Sequence, residues 1–390
     1  MKLTIKSLLH IWLLLTVALY ISLDSRFNIP GVTILRWVMP AGLLFFSIST
    51  RKGKMVLPQN SLYYVVVLLF CFASLYSISR IYSVMRVISF ALITLAFYNY
   101  FSLCKDREEL LVELKIFSIC FIAYGILNAV FLGDTSHRAY GITGNPNSLG
   151  IWSNISFLSA LAFFVSTQKK WIKISMLLVM GTAMMTAVLS GSRTYTVTIV
   201  MNLFVAVLLF QKEMPPIWKI LGAIVILLCI PSAMNLISKL PGIQRLQEDG
   251  LTRGELWEEG IELWKQKPVL GWGYGVSTIL NTPEYIKGLS ELYYGLSFHN
   301  SYLVVLMETG IIGVLFVVLL IGQQIMHLVK TFLKERDRRL AVVVMIMITM
   351  VLCFWGCAAM TSVGSTEGFY FWGVFMWLLV YQKIPKCAVL

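Results

Sequence analysis

Residues 300–329 read NSYLVVLMETGIIGVLFVVLLIGQQIMHLV. Apart from His327 near its end, Glu308 is the one residue in that stretch drawn from Asp, Glu, Lys, Arg and His. An α-helix rises about 1.5 Å per residue, so about 20 apolar residues cross the roughly 30 Å hydrocarbon core of a bilayer. A run this long and apolar reads as a membrane span. It must be a helix, because lipid offers the backbone of an isolated span no other hydrogen-bond partners.

Runs of the same kind lie near 7–23, 30–49, 60–79, 84–103, 112–132, 147–167, 171–190, 195–211, 216–237, 340–361 and 367–382, which with 300–329 makes twelve candidate spans. The second carries Arg36 and Pro40, and the eighth is short. The composition of the 390-residue chain agrees: 58% hydrophobic and 13% charged, with a mean hydropathy of +0.79, against about 25% charged in soluble domains. A soluble enzyme, a disordered chain and a disulfide scaffold are excluded. The expected fold is an all-α integral membrane protein, a single polytopic domain over 1–390.

A net charge of +13 would suggest nucleic acid in a soluble protein. Here it sorts by side of the membrane. With the N-terminus in the cytoplasm, the segments on that side hold twenty Lys and Arg, among them Lys2, Lys6, Arg51, Lys52, Arg338 and Arg339. The short opposite segments and span ends hold Arg26, Arg36, Arg80, Arg86, Arg138 and Arg193. Basic residues accumulate on the cytoplasmic side of short loops. Both termini are therefore expected in the cytoplasm, and no nucleic-acid partner is expected. The first run lacks a small-residue cleavage site and reads as a span, not a removable signal. None of the seven cysteines falls in an outward loop, so no disulfide is expected.

One connection is long. Residues 238–299 face outward with a net charge of −2. A connection of this length in a compact bundle is functional or disordered, and its pattern is that of a folded cap. Thr252-Arg253-Gly254-Glu255 reads as a capping box, with Thr252 as N-cap. Trp257, Ile261 and Trp264 follow at helical spacing, and Pro268 stops the helix. Trp272, Tyr274, Tyr285, Tyr293 and Tyr294 suit headgroup level.

The polar information gathers at the outward face. Arg253 falls in the first turn of the cap helix, where the dipole disfavours a cation. With an anion present, helix N-terminus and guanidinium would hold it together; without one, Arg253 is a surface residue paired with Glu255 or Glu258. His299 precedes Asn300-Ser301-Tyr302-Leu303 at the outer end of the tenth span. It can accept a proton from a hydroxyl near neutral pH, or simply cap the helix. Of the other histidines, His10 and His327 lie near cytoplasmic ends, and His137 lies in another outward loop. Glu308 is an intramembrane carboxylate and so a functional candidate, or a structural polar contact. Nine residues beyond His299, it is about half a turn out of phase with it. Gly310 and Gly313 would allow close helix packing. Arg193 lies in the short turn Ser190-Gly191-Ser192-Arg193-Thr194. Arg138 precedes Gly144-Asn145-Pro146-Asn147, the turn that opens span six. Arg80 and Arg86 bracket the turn between spans three and four. Arginine stays charged and matches phosphate in a fork geometry. Several around one outward pocket suit a lipid-linked diphosphate; singly, each anchors to lipid headgroups. No metal-ligand spacing, Walker loop or dinucleotide fingerprint is visible, so no cofactor is expected. Outward chemistry has no ATP and needs a substrate already activated.

Taken in order, Gly144-Asn145-Pro146-Asn147, Ser190-Gly191-Ser192-Arg193-Thr194, Arg253 with Leu256-Trp257, Gly271-Trp272-Gly273, and His299-Asn300-Ser301-Tyr302-Leu303 through Glu308 to Gly313 resemble the O-antigen ligase and polymerase superfamily. The resemblance covers most of 140–315. It implies a metal-independent glycosyltransferase of twelve helices, acting on an undecaprenyl-diphosphate-linked oligosaccharide at the outer face of the bacterial cytoplasmic (inner) membrane. By that resemblance His299 is the catalytic base, and Arg193 and Arg253 bind the diphosphate, with Arg138 beside them. Asn300, Glu308, Asn145, Asn147, Arg80 and Arg86 would support the site. The acceptor is a second lipid-linked glycan in polymerases and the lipid A core, or a protein, in ligases. The Gly-Asn-Pro-Asn turn with its upstream arginine resembles polymerases more, and a chain-length regulator is then a candidate partner. A flippase for the same glycans is the alternative from another class. It would carry charges deep in several spans and paired broken helices, whereas here few charges lie inside spans.

Overall fold

The computed structural model describes residues 5–22, 31–133, 138–210, 251–285, 298–354 and 365–384. Regular structure among the described residues is all helical, without a strand. The helices are α1 (Ile5–Ser22), α2 (Val32–Thr50), α3 (Ser61–Leu75), α4 (Arg80–Phe101), α5 (Arg107–Val130), α6 (Pro146–Ser166), α7 (Lys170–Leu189), α8 (Arg193–Phe210), α9 (Leu251–Gln266), α10 (Ser277–Leu280), α11 (Ser301–Glu335), α12 (Arg338–Cys353) and α13 (Thr366–Lys383). Each predicted span has its helix except 216–237, which lies outside the described residues, as does the part of 340–361 beyond Phe354. Among the described residues seven helices (α1, α2, α4, α5, α6, α7 and α11) are long and apolar enough to cross a membrane, and α3 and α8 are shorter apolar helices. Large apolar side chains such as Ile34, Leu68, Ile81, Leu178 and Phe204 are exposed. Such surface is a liability in water and the natural coat of a bundle in lipid. The chain is a multi-pass membrane protein.

The chain divides into two compact units. The first comprises Met1–Cys120, Gly250–Leu328 and Phe354–Leu390. Its centre is α13, buried from Thr366 to Tyr381. A helix apolar on every side has to be enclosed, and aromatic contacts do this. Phe369 stacks on Tyr20 at 4.0 Å, Tyr370 stacks on Phe117 at 5.7 Å, and Trp372 meets Phe90 edge-on at 4.7 Å. The Trp377 indole, which lipid could not satisfy, donates to the Leu110 carbonyl at 2.8 Å. Ser365 caps α13 by accepting the Gly368 amide at 3.0 Å.

The second unit comprises Phe121–Asp249 and Val329–Cys353. Its central helix is α6, buried from Leu149 to Leu161. Asn145 is its N-cap, accepting the Asn147 amide at 2.9 Å, and Pro146 fills the first helical position. The Gly-Asn-Pro-Asn turn is therefore a helix start with the residues the geometry favours there. Inside the unit, Asn154 donates to the Tyr195 carbonyl at 2.9 Å and accepts from Asn202, which in turn accepts from Thr349 at 2.7 Å. These bonds tie α6, α8 and α12 together at a depth where an unmade bond would be costly.

Candidate functional site

In the first unit, helix α9 and the start of α11 share one buried apolar cluster that includes Leu256, Leu263, Trp272, Phe298, Leu303 and Met307. Helix α9 begins at Leu251, so Thr252 lies inside its first turn and is not its N-cap. A capping preference of about 1 kcal/mol is easily overridden at a helix end. Arg253 keeps its place in that first turn. Four residues later in the chain, Trp257 donates its indole N–H to the Phe298 carbonyl at 2.9 Å.

His299 follows Phe298 with φ +48°, a left-handed conformation uncommon for a residue with a side chain. The ring is half-buried. It does not cap α11: Asn300 does, its Oδ1 accepting the amides of Tyr302 and Leu303 at 3.1 and 3.2 Å. Asn is the better cap because its short side chain reaches back to those amides. Ser301 donates its amide to the Phe354 carbonyl at 2.8 Å. His299 is thus held between a buried Phe298, an anchored Asn300 and a bonded Ser301.

Gly310 proves to be something other than a packing residue. At φ +65°, ψ −169° it breaks α11. The segment after α9, residues 268–277, fills the break as a strap. Trp272 and Gly273 donate amides to the carbonyls of Met307 and Glu308 at 2.8 and 2.9 Å, and the Ile311 amide donates to the Pro268 carbonyl at 3.0 Å. The backbone groups freed by the break are satisfied by protein, which makes irregular backbone tolerable at membrane depth. The approach leaves no room for side chains: a Cβ at Gly271 would stand 2.6 Å from the Met307 oxygen, and one at Gly310 would overlap the Val269 carbonyl.

Glu308 accepts the Ser277 amide at 3.0 Å, and the Gly275 amide and Ser277 hydroxyl also donate to it. Burial pushes the Tyr274 phenol well up, the nearby Glu308 carboxylate adds to the rise, and the Arg86 guanidinium opposes it. Arg86 also bonds the Tyr82 hydroxyl and sits over that ring. Both Arg80 and Arg86 lie on α4, Arg80 as its first residue, so they do not bracket a turn. Arg80 is exposed and about 240° around the helix from half-buried Arg86. Arg86 packs against the strap at Gly275, near enough for its charge to act on Glu308; Arg80 lies on another face of α4.

In the second unit, Arg138 lies across the 190–192 turn. Its Nε donates to the Ser190 carbonyl at 2.9 Å and its NH2 to Asn147 Oδ1 at 3.1 Å. Arg138, Asn145 and Asn147 are therefore brought together around the start of α6. Arg193, half-buried, is the first residue of α8. His137, Tyr293 and Tyr294 lie outside the described residues.

A polar cluster that sequence reading passed over lies in the first unit where α1 and α5 begin and α4 ends. Glu113 is buried, bonded by Tyr100 at 2.5 Å and by His10 at 3.0 Å, with Lys6 at 3.6 Å. It lines a cavity of about 230 Å³ with Leu9, Leu103 and Cys104. Its members come from three helices, with α1 remote in sequence from α4 and α5, so no local motif announces it. Among the described residues no three His, Cys, Asp or Glu side chains gather to hold a metal ion.

The fold and these features define a multi-pass helical membrane protein with a strap-stitched broken helix behind a conformationally constrained histidine. Residues 176–318 match the family model described as O-antigen ligase, which supports an O-antigen ligase or polymerase type of membrane enzyme. The matched segment runs from within α7 to the middle of α11 and contains Arg193, Arg253, His299, Glu308 and Gly310. No curated protein matches the chain.

Proposed function

We propose that this chain is a glycosyltransferase that moves a glycan from an undecaprenyl-diphosphate-linked donor to a hydroxyl acceptor at the outer face of the bacterial inner membrane, with both termini cytoplasmic and residues 238–299 as the outward cap. The observation that carries the reading is His299, held left-handed and half-buried beside the helix that bears Arg253, inside the segment that matches the O-antigen ligase family. Strained backbone that the surroundings hold in place is a feature of functional sites.

The acceptor hydroxyl attacks the anomeric carbon of the donor sugar. The bond from that carbon to the diphosphate oxygen breaks, and undecaprenyl diphosphate departs with the electron pair. His299 takes the hydroxyl proton as the new glycosidic bond forms, a contribution of about 10²–10⁴ in rate. By the resemblance to the superfamily, Arg253 and Arg193 are each assigned to binding the diphosphate and stabilising the charge that develops on it. Arg138, committed to Ser190 and Asn147, shapes the turn that leads into Arg193. No metal or cofactor is assigned a step.

Polymerisation of repeat units is the preferred activity, on the resemblance of the Gly-Asn-Pro-Asn turn with its upstream arginine. Ligation of a finished glycan to a lipid A core is the second reading, favoured by the description of the matching family. Purified protein given lipid-linked oligosaccharide alone should yield a ladder of longer lipid-linked products. Consumption of donor only when a lipid A core acceptor is added would establish the ligase instead. Donor left intact with and without the core acceptor overturns both, and gradient-free movement across a vesicle bilayer would then favour a flippase.

A further inference from the structure

We propose that Trp257 is a positioning residue for His299. The inference rests on the reading of His299 as the base. His299 occupies a backbone conformation that costs of order 1–3 kcal/mol and persists only where the surroundings enforce it. Among the described residues, bonds on both sides of it do so. Asn300 caps α11 and Ser301 is its first residue, and their bonds fix its first turn. The peptide on the other side of His299 is fixed by Trp257, whose indole N–H holds the Phe298 carbonyl. Phe298 itself is fully buried, so its peptide has little freedom except rotation about that bonded carbonyl. Trp257 also stands one turn after Arg253 on α9. The indole bond therefore links the helix bearing Arg253 to the peptide preceding the base. Loss of that bond frees the Phe298–His299 peptide to turn, and the imidazole turns with it.

Trp264 is a matched control. It lies on the same face of α9, and its indole N–H donates to the Pro268 carbonyl at 3.0 Å, in the strap and away from His299.

The test is a set of turnover measurements on purified full-length protein with lipid-linked oligosaccharide. Trp257→Phe should lower kcat about tenfold, the scale on which slight misplacement of a catalytic group acts, with KM for the donor unchanged. Trp264→Phe should keep the wild-type rate. Replacing Trp257 by benzothienylalanine, which keeps the ring shape and lacks only the N–H, should reproduce the loss and guards against a folding defect in the phenylalanine variant. In a His299→Ala background Trp257→Phe should add less than a twofold further loss, because residues acting as one unit are not additive. A structural role would lower the residual rate by the same factor in both backgrounds. A wild-type rate for the benzothienylalanine protein, or an equal loss in the His299→Ala background, overturns the positioning role and leaves the base reading standing. A His299→Ala protein that keeps more than about a tenth of the rate overturns the base reading, and that result is read independently of position 257.

Discussion

His299 combines two properties that separate easily by substitution. As a base it supplies about 10²–10⁴ in rate, so His299→Ala should lose product in turnover assays while the protein inserts normally. As a left-handed residue it sits where Asn is also tolerated, so His299→Asn should match the wild type in thermal stability and still be inactive. Equal activity of His299→Asn and wild type would reduce His299 to a backbone role. The arginines make a different prediction. Lysine keeps their charge and loses the fork, so Arg193→Lys and Arg253→Lys should each impair turnover. Hydrogen bonds to charged groups are worth about 1.5–3 kcal/mol, so Arg253→Ala should lose roughly ten- to a hundredfold. Near-normal product from Arg253→Ala at equal protein level would remove the anion site from α9.

The strap and the broken α11 are a single device, because neither can exist without the other. The strap carbonyls and amides occupy the positions that a continuous helix would fill with its own. Gly271→Ala and Gly310→Ala place a Cβ against backbone that cannot move, in conformations that already disfavour it. Both should sharply reduce the yield of folded protein by size-exclusion chromatography. Gly181, on α7 with open space around it, should accept alanine without loss. Glu308 anchors the strap through the Ser277 amide. Glutamine keeps an acceptor oxygen there and alanine keeps none, so Glu308→Gln should melt at a higher temperature than Glu308→Ala. The opposite order would mean that the charge shared with Arg86 outweighs the hydrogen bonds.

The whole chain makes one topological prediction. Glu284 falls in the long connection read as outward, and Lys334 near the end of α11 in a segment read as cytoplasmic. In a cysteine-free background, Glu284→Cys should react with a membrane-impermeant thiol reagent in intact cells, and Lys334→Cys should react only after lysis. Equal labelling in intact cells would overturn the orientation, and with it the outward placement of His299.

Hydropathy alone announces the helices, because a bilayer leaves an apolar run of 20 residues one conformation. That physical necessity explains why the predicted runs 147–167 and 171–190 coincide with α6 and α7 within a residue or two. Short-range chemistry was legible too: Asn145-Pro146 as a helix start, and the aromatic face of α9. What escaped was everything that depends on meetings between distant segments. Gly310 looked like one more small residue in a span, since nothing local distinguishes a packing glycine from a break that residues 268–272 must fill. Glu308 reads from sequence as either functional or structural, and only the folded chain brings the Ser277 amide of the strap to its carboxylate. Asn300 caps α11 in place of His299 because the cap depends on backbone angles that composition does not encode. The Glu113 cluster joins α4 and α5 to α1, whose His10 lies 103 positions before Glu113. Local pattern determines which segments cross the membrane; tertiary structure decides which polar groups satisfy one another there, because in a medium without water each must find its partner within the protein.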